Sequence, residues 1–155
     1  KLKEINSKIE FSSDFIIAYP GEENQDFEDT LNLIKKVKFI NSYSYIFSPR
    51  PGTISENLNL IDKKTSFERL EIIQNELFEN QIQKNKSLEN SIVEVLVENF
   101  TEDKTKTFGR SKHMTSVIFD GKKSDIGKIV HVKISKSNRS TLFGEMVDNS
   151  NQKVA

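Results

Sequence analysis

Residues 14–47, "DFIIAYPGEENQDFEDTLNLIKKVKFINSYSYIF", indicate the fold class of the first part of the chain. It begins with a nearly continuous apolar run, Phe15 to Tyr19, which is typical of a strand buried on both faces and which ends at a Pro-Gly pair. A helical stripe of apolar residues follows, with Asn24 as its candidate N-cap. Residues 42–47 then read as a second strand. Strand, helix and strand within about thirty residues predict a βαβ unit with a parallel sheet.

Two loops follow these strands, and ligands of parallel α/β sheets bind at the carboxyl ends of strands. In the first loop, Gly21 permits close backbone approach, and Glu22 could accept a hydrogen bond from a ribose or an amine. The second loop is "SPRPGT", residues 48–53, in which two prolines restrict the backbone around Arg50. A pre-organised guanidinium there suits a phosphate or a carboxylate. Asp14 precedes the apolar run and could lie inside a barrel formed by such strands, where a polar side chain needs a hydrogen-bonding partner. Local reasoning favours plain structural turns for both loops, clearly for the first and slightly for the second.

A long helix and an all-β region follow. Thr65 and Glu68 form a candidate capping box, and the helical pattern continues to about Lys86. The expected buried face of this helix comprises Phe67, Leu70, Ile73, Leu77 and Phe78. Alternating apolar residues then predict strands at 91–100, 115–119, 129–135 and 141–147. A module of about 65 residues is in the range of a small five-stranded barrel.

Charge is balanced over the whole chain but not along it. There are 23 basic and 23 acidic residues, yet residues 104–139 hold ten Lys/Arg against only Asp120 and Asp125. Such an excess indicates a face for a polyanion, or else a solvated lysine-rich surface. Within it, "FGRSKHM" (residues 108–114) places basic side chains near Phe108 and Phe119, as in oligonucleotide-binding barrels. The alternative is a charged edge strand protected against pairing with other chains. The basic span favours the first interpretation.

Composition excludes several classes of protein. The chain has no cysteine, which excludes disulfides and thiolate metal sites within it. No apolar run reaches membrane-spanning length, and the start lacks the apolar core of a signal peptide, so we expect a cytoplasmic protein without membrane contact. His113 and His131 alone make no metal site. The chain starts without Met in mid-pattern, which predicts a piece of a longer protein.

Taken together, "SSDFIIAYPGEENQDFEDTLNLI", "SYIFSPRPGT", "GRSKHMTSVIFDG" and "IGKIVHVKI" with "TLFGE" resemble the C-terminal part of radical-SAM tRNA methylthiotransferases of the MiaB type. These enzymes modify isopentenyl-adenosine beside the tRNA anticodon. The resemblance implies an α/β region followed by an all-β region. Residues 1–86 would be the C-terminal portion of a parallel radical-SAM (β/α) barrel with its closing helix. Residues 87–155 would be a five-stranded, OB-like TRAM β-barrel that binds RNA.

The resemblance also implies cofactors, partners and site residues. The family uses two 4Fe-4S clusters, held by cysteines that include a CxxxCxxC set, and S-adenosylmethionine. With no cysteine, this chain should neither bind the clusters nor catalyse the reaction alone; we expect a monomer that binds tRNA and S-adenosylmethionine. The predicted cofactor-binding residues are Asp14, Gly21, Glu22, Ser48 and Arg50. The predicted RNA-binding residues are Phe108, Arg110, Lys112, His113, Lys128, Lys133 and Arg139. Ala18 and Tyr19 depart from the family's usual "VGFPGE", which has Gly and Phe there.

Two alternatives stay open. One is a sister methylthiotransferase that acts on threonylcarbamoyl-adenosine in tRNA or on an aspartate of a ribosomal protein. The other is a stand-alone, non-catalytic RNA-binding protein. The ribosomal type tends to carry an acidic loop where this chain has Arg50-Pro51, so this arginine and the basic barrel favour an RNA substrate.

Overall fold

The computed structural model describes residues 1–147, and residues 148–155 of the predicted TRAM domain lie outside this range. Its helices are α1 (Leu2–Ile5), α2 (Asn24–Val37) and α3 (Lys63–Ser87). Its strands are β1 (Asp14–Ile17), β2 (Tyr43–Ile46), β3 (Ile92–Phe100), β4 (Thr107–Ser111), β5 (Ser116–Asp120), β6 (Ile129–Ser137) and β7 (Thr141–Val147). Two compact units divide the chain, Lys1–Asn80 and a second that begins at Gln81. None of the helices described is both long and apolar enough to cross a membrane.

The first unit contains the predicted βαβ arrangement. Strands β1 and β2 pair in parallel, from Asp14 beside Tyr43 to Ile17 beside Ile46, and α2 connects them. Alternate residues of β1 and one stripe each of α2 and α3 supply the core. The buried members of this core are Phe15, Ile17, Phe27, Leu31, Ile34, Ile73 and Leu77.

The expectation that the first strand is buried on both faces is wrong for this chain. Strand residues alternate between faces, so Ile16 points away from the core that Phe15 and Ile17 enter. The Ile16 side chain is 62% exposed, and its neighbours on the same face, Tyr43 and Tyr45, are exposed as well. No element described here covers that face of the two-stranded sheet.

Both helix starts differ from the sequence prediction. Helix α3 begins two residues before Thr65, because the Asp62 carboxylate accepts a hydrogen bond from the Thr65 N–H at 3.0 Å. Glu23 rather than Asn24 caps α2, and the Asp26 carboxylate accepts in return from the Glu23 N–H at 2.9 Å. Acidic residues therefore take the capping positions of both helices.

The buried face of α3 is also narrower than predicted. Ile73 and Leu77 are buried, and Leu70 packs against the core from a partly exposed position. Phe67, however, is 62% exposed, and Phe78 is exposed too. The apolar pattern alone overestimates the width of this stripe.

The second unit is the predicted five-stranded barrel. It closes in the order β3-β4-β5-β7-β6, with antiparallel pairs throughout except for the parallel pair β5–β7. Closure leaves no strand edge available for pairing with another chain. Its core consists of Val95, Val97, Val117, Phe119, Val132, Ile134 and Leu142.

Strand β4 is the member of the barrel that the apolar pattern does not mark. Its inward residues are Thr107, Gly109 and Ser111, and its outward residues are Phe108 and Arg110, so small or polar groups point inward. At Gly109, a Cβ would overlap the backbone of the neighbouring strand β3. Strands β3 and β4 therefore approach too closely for a larger residue at this point.

Candidate functional site

The carboxyl ends of β1 and β2 lie at one edge of the small sheet. Gly21 has φ +91°, and an added Cβ would meet no atom within 4 Å, so this side of the turn is open. Ala18 has φ +56°, a left-handed conformation that costs a non-glycine residue energy. The rings of Tyr19 and Phe47 meet edge to face at 4.8 Å between centroids. Ser48 follows directly, so the structure places Gly21 and Ser48 at the same edge.

Glu22 holds this turn through a buried ion pair. Its carboxylate accepts from the Ala18 N–H at 2.8 Å and from Arg69 Nη1 at 2.6 Å. Arg69 also donates to the Glu22 carbonyl at 3.1 Å and to Asn24 Oδ1 at 2.7 Å, and its guanidinium lies 5.3 Å from the Phe27 ring centre. The two charged side chains are only 8% and 13% exposed. The carboxylate that the sequence offered to a ligand is therefore engaged within the protein.

Arg69 is the residue that sequence reasoning missed. A signal was present, because Arg69, Ile73 and Leu77 follow one another at spacings of four and so share a helix face. A charge on an apolar stripe requires a buried partner. Glu22, 47 residues earlier in the chain, is that partner.

The other two predicted cofactor residues lie apart from the Glu22 turn. The Arg50 carbonyl accepts from the Thr53 N–H at 3.2 Å and from its hydroxyl at 2.7 Å, which closes a turn. The Arg50 side chain is exposed and forms no ion pair within residues 1–147. Asp14 begins β1, and the other three strand residues, at about 3.3 Å each, separate it from the edge that holds Gly21. The structure thus does not bring Asp14 to the predicted site.

A cavity of about 400 Å³ opens beside these strand ends. Its walls are mainly apolar, with Ser48, Lys63 and Ser66 as polar members. The apolar lining residues are Ala18, Ile46, Phe47, Leu60, Ile61 and Phe67. Of the five predicted cofactor residues, Ser48 is the one that lines it.

On the barrel, Arg110 is held in place by three groups. Its guanidinium lies 5.4 Å from the Phe108 ring centre, Nη1 donates to the Met114 carbonyl at 3.2 Å, and Nε lies 3.3 Å from Glu98 Oε1. Glu98 belongs to β3, upstream of the basic span, and partly balances the charge of Arg110. Phe119, by contrast, is buried in the barrel core and cannot contact a ligand.

The remaining predicted RNA-binding residues are spread around the barrel. Lys112 is exposed and His113 half-buried in the turn after β4. Lys128 is exposed and lies beside β3, because its carbonyl accepts a hydrogen bond from the Val97 N–H at 2.9 Å. Lys133 points outward from β6, and Arg139 is exposed in the β6–β7 turn. Lys112 and His113 thus lie in the turn that Arg110 contacts through Met114, whereas Lys128, Lys133 and Arg139 belong to other elements of the barrel.

The turn that carries Arg139 is anchored at the end of α3. Asn85 is fully buried, and its Nδ2 donates to the carbonyls of Asn138 at 2.8 Å and Arg139 at 2.9 Å. Glu89 Oε1 accepts from both the N–H and the hydroxyl of Ser137, at 2.9 and 2.7 Å. This anchoring fixes the backbone from which the Arg139 side chain extends.

The β3–β4 turn is ordered by Asp103. The Thr101 hydroxyl and the Thr105 N–H donate to its carboxylate and hold the pKa of Asp103 below its usual range.

Among residues 1–147 no three His, Cys, Asp or Glu side chains are grouped as metal ligands. Together with the absence of cysteine from the sequence, this means that the side chains described do not fit an iron–sulfur cluster.

Comparison with known proteins places this chain. The sequence profile of the TRAM domain matches residues 86–147. The tRNA-2-methylthio-N6-dimethylallyladenosine synthase of Pelagibacter ubique is 63% identical over all 155 residues, which are 35% of its own length. The synthases of Ruthia magnifica and Rickettsia akari are 39% and 40% identical over 95% of the chain. The chain thus spans about a third of the length of these relatives. Residues 86–147 therefore match a TRAM domain, and the whole chain is similar to about a third of these tRNA-2-methylthio-N6-dimethylallyladenosine synthases, which confirms the resemblance seen in its motifs.

Proposed function

We propose that this chain is the tRNA-binding, C-terminal part of a methylthiotransferase that adds a methylthio group to isopentenyl-adenosine next to the anticodon by radical-SAM chemistry. The observation that carries the proposal is the 63% identity to a synthase of that name across the entire chain. Residues 1–86 would supply the last strands of the radical-SAM barrel with its closing helix. Residues 87–155 would hold the tRNA.

The uncovered face of the small sheet supports the first half of this proposal. Ile16, Tyr43 and Tyr45 expose apolar and aromatic surface on one side, while the other side is packed. Parallel sheets are normally covered on both faces. Two strands from a larger barrel, with further strands beyond this chain, would show this one-sided burial.

S-adenosylmethionine, when bound in the longer protein, supplies the radical and the methyl group. The open side of Gly21, the exposed guanidinium of Arg50 and the cavity at Ser48 fit one wall of such a site. Glu22 acts indirectly in this proposal, because with Arg69 it fixes the turn that presents Gly21. Asp14 has no part in it. The 4Fe-4S clusters do not fit this chain, so cysteines elsewhere in a longer protein would bind them, and the chain alone would be inactive.

The exposed cations of the barrel support tRNA binding. Lys112, Lys128 and Lys133 are exposed and have no ion-pair partner within residues 1–147. Several cations on one small module attract the phosphate backbone without regard to sequence. Arg110 joins them when a phosphate displaces Glu98.

The reading frame upstream of Lys1 tests the whole assignment. We expect it to encode CxxxCxxC in frame, and a start codon directly before Lys1 would contradict the proposal. The longer protein should then restore 2-methylthio modification to the tRNA of a deletion strain, measured by mass spectrometry of nucleosides. Arg50→Ala should reduce that modification, whereas Lys35→Ala, on the exposed side of α2, should not. Full modification with Arg50→Ala would return "SPRPGT" to a purely structural role.

A further inference from the structure

An apolar row crosses the outer face of the TRAM barrel. Phe108 on β4 lies beside Ile118 on β5, and Ile118 lies beside Phe143 on β7. All three point outward, because Gly109, Phe119 and Leu142, next to them in the chain, enter the barrel. All three are half-buried, so each ring or side chain keeps accessible surface. The two phenylalanines stand about 10 Å apart, since neighbouring strands are separated by about 4.8 Å.

Charged groups flank this row on every side. Arg110 lies over the Phe108 ring, and Lys136 on β6 pairs in register with Phe143. Lys106, which directly precedes β4, forms an ion pair with Asp120 at 2.7 Å. Lys136 is exposed and has no ion-pair partner within residues 1–147. An aromatic row with cations at both ends suits a ligand that carries flat rings on a negatively charged backbone.

We infer that the row Phe108–Ile118–Phe143 is a stacking surface for unpaired bases of single-stranded RNA. This inference rests on the proposed tRNA-binding function and adds how the RNA is held. A duplex buries the faces of its bases, so rings on an open barrel face can stack only on nucleotides that are unpaired. Phosphates on either side of the stacked bases would then reach Arg110 and Lys136. Phe143 is absent from the sequence-based list of RNA-binding residues.

The discriminating experiment compares two probes that carry the same phosphates. One is a nine-nucleotide single-stranded RNA with the sequence of a tRNA anticodon loop, and the other is its abasic counterpart. Base stacking on an aromatic side chain changes affinity by about 5- to 100-fold per base. The 155-residue chain should therefore bind the base-bearing probe at least 5-fold more tightly, measured by fluorescence anisotropy at a fixed salt concentration.

Three variants locate the effect. Phe143→Leu keeps an apolar side chain but removes the ring, and it should lose about 5-fold or more in affinity for the base-bearing probe alone. Phe143→Tyr keeps the ring and should bind normally. Ile129→Ala removes a highly exposed apolar side chain outside the row and is the matched control, with no expected change. Circular dichroism of each variant reports whether the barrel is intact.

The outcomes separate this inference from the proposed function. If neither probe binds, the tRNA-binding proposal fails and the stacking surface fails with it. If both probes bind equally and Phe143→Leu changes nothing in a folded barrel, the chain binds RNA through phosphates alone and stacking is refuted.

Discussion

Replacing Arg69 by methionine removes the cation that holds the turn after β1. The Arg69 guanidinium bonds to the Glu22 carboxylate, the Glu22 carbonyl and Asn24 Oδ1. Methionine retains an unbranched apolar side chain but offers no donor, and it also removes the guanidinium that lies over the Phe27 ring. The change therefore removes the ion pair, the hydrogen bonds and the cation–π contact of Arg69 while keeping an apolar side chain at this position.

The expected cost follows from burial. Removing one partner of a buried ion pair destabilises a protein by about 3–5 kcal/mol, because the other charge stays buried and unpaired. Glu22 is 13% exposed and keeps its hydrogen bond from the Ala18 N–H, which places the cost at the lower end, about 3 kcal/mol. Glu22→Gln keeps the shape and one acceptor and should cost about half as much. The double variant should cost about 3 kcal/mol, so that the coupling is about 1.5 kcal/mol.

Tyrosine fluorescence during urea unfolding measures these differences in the first unit alone. All three tyrosines, Tyr19, Tyr43 and Tyr45, lie in that unit, and the chain has no tryptophan. Lys64→Ala is the control on the same helix, since its ion pair with Glu68 spans 3.9 Å between exposed side chains. This control should change the free energy of unfolding by less than about 0.5 kcal/mol. Additive effects of Arg69→Met and Glu22→Gln on the free energy of unfolding would contradict a stabilising ion pair, because two residues that act through one another cannot be independent.

Three further changes test separate parts of the structure. Ala18→Gly removes the strain of a left-handed alanine, about 1 kcal/mol, but raises the entropy of the unfolded chain by a similar amount. Urea unfolding should therefore show an equal or slightly higher free energy of unfolding. A loss above about 1 kcal/mol would contradict the observed φ of Ala18. Asn85→Ala leaves the carbonyls of Asn138 and Arg139 without their donor, and should destabilise the barrel by about 2–3 kcal/mol in amide hydrogen exchange, while an unchanged barrel would disprove the anchor. The hydrogen bond from the Thr65 N–H lowers the pKa of the Asp62 carboxyl. The ionised carboxylate therefore stabilises the folded state at pH values above the ordinary aspartate pKa of about 3.9, and this stabilisation is lost as the pH falls below that value. Thermal unfolding at pH 6 and pH 3 should therefore show a smaller pH-dependent loss in Asp62→Asn, and an identical loss would exclude this cap.

Local patterns predicted the elements whose burial follows from neighbours in sequence. The apolar run at Phe15, the Pro-Gly pair and the helical stripe through Leu31 gave a βαβ unit that the structure contains. The alternation of valines through Val95 and Val97 gave a strand of the barrel. These signals work because strand and helix periods set which residues share a face.

These local patterns could not predict contacts between residues that are distant in the sequence. The apolar pattern did not predict strand β4, because its inward-facing residues include Thr107 and Gly109 instead of large apolar residues. The close approach of β3 leaves little space for larger side chains there. The net charge of residues 104–139 overestimates the positive charge around Arg110, because Glu98 from β3 lies beside this arginine. Glu22 was offered to a ligand because nothing near it in the sequence reveals Arg69 as its partner. In each case the decisive neighbour comes from another element of the fold.

The salt dependence of tRNA binding by the 155-residue chain shows whether the exposed cations of the barrel hold the phosphate backbone. Each phosphate contact with single-stranded RNA contributes about −0.7 to the slope of log affinity against log salt, so three to four contacts predict a slope of about −2 to −3. Arg110→Ala with Lys112→Ala should weaken binding and, at about 0.7 for each lost contact, make that slope shallower by about 1.4, whereas Glu98→Gln should strengthen binding by releasing Arg110. We expect binding to fall steeply between 50 and 200 mM salt, over the range in which phosphate contacts are lost. No binding at low salt, or an affinity that salt and these substitutions leave unchanged, would contradict it.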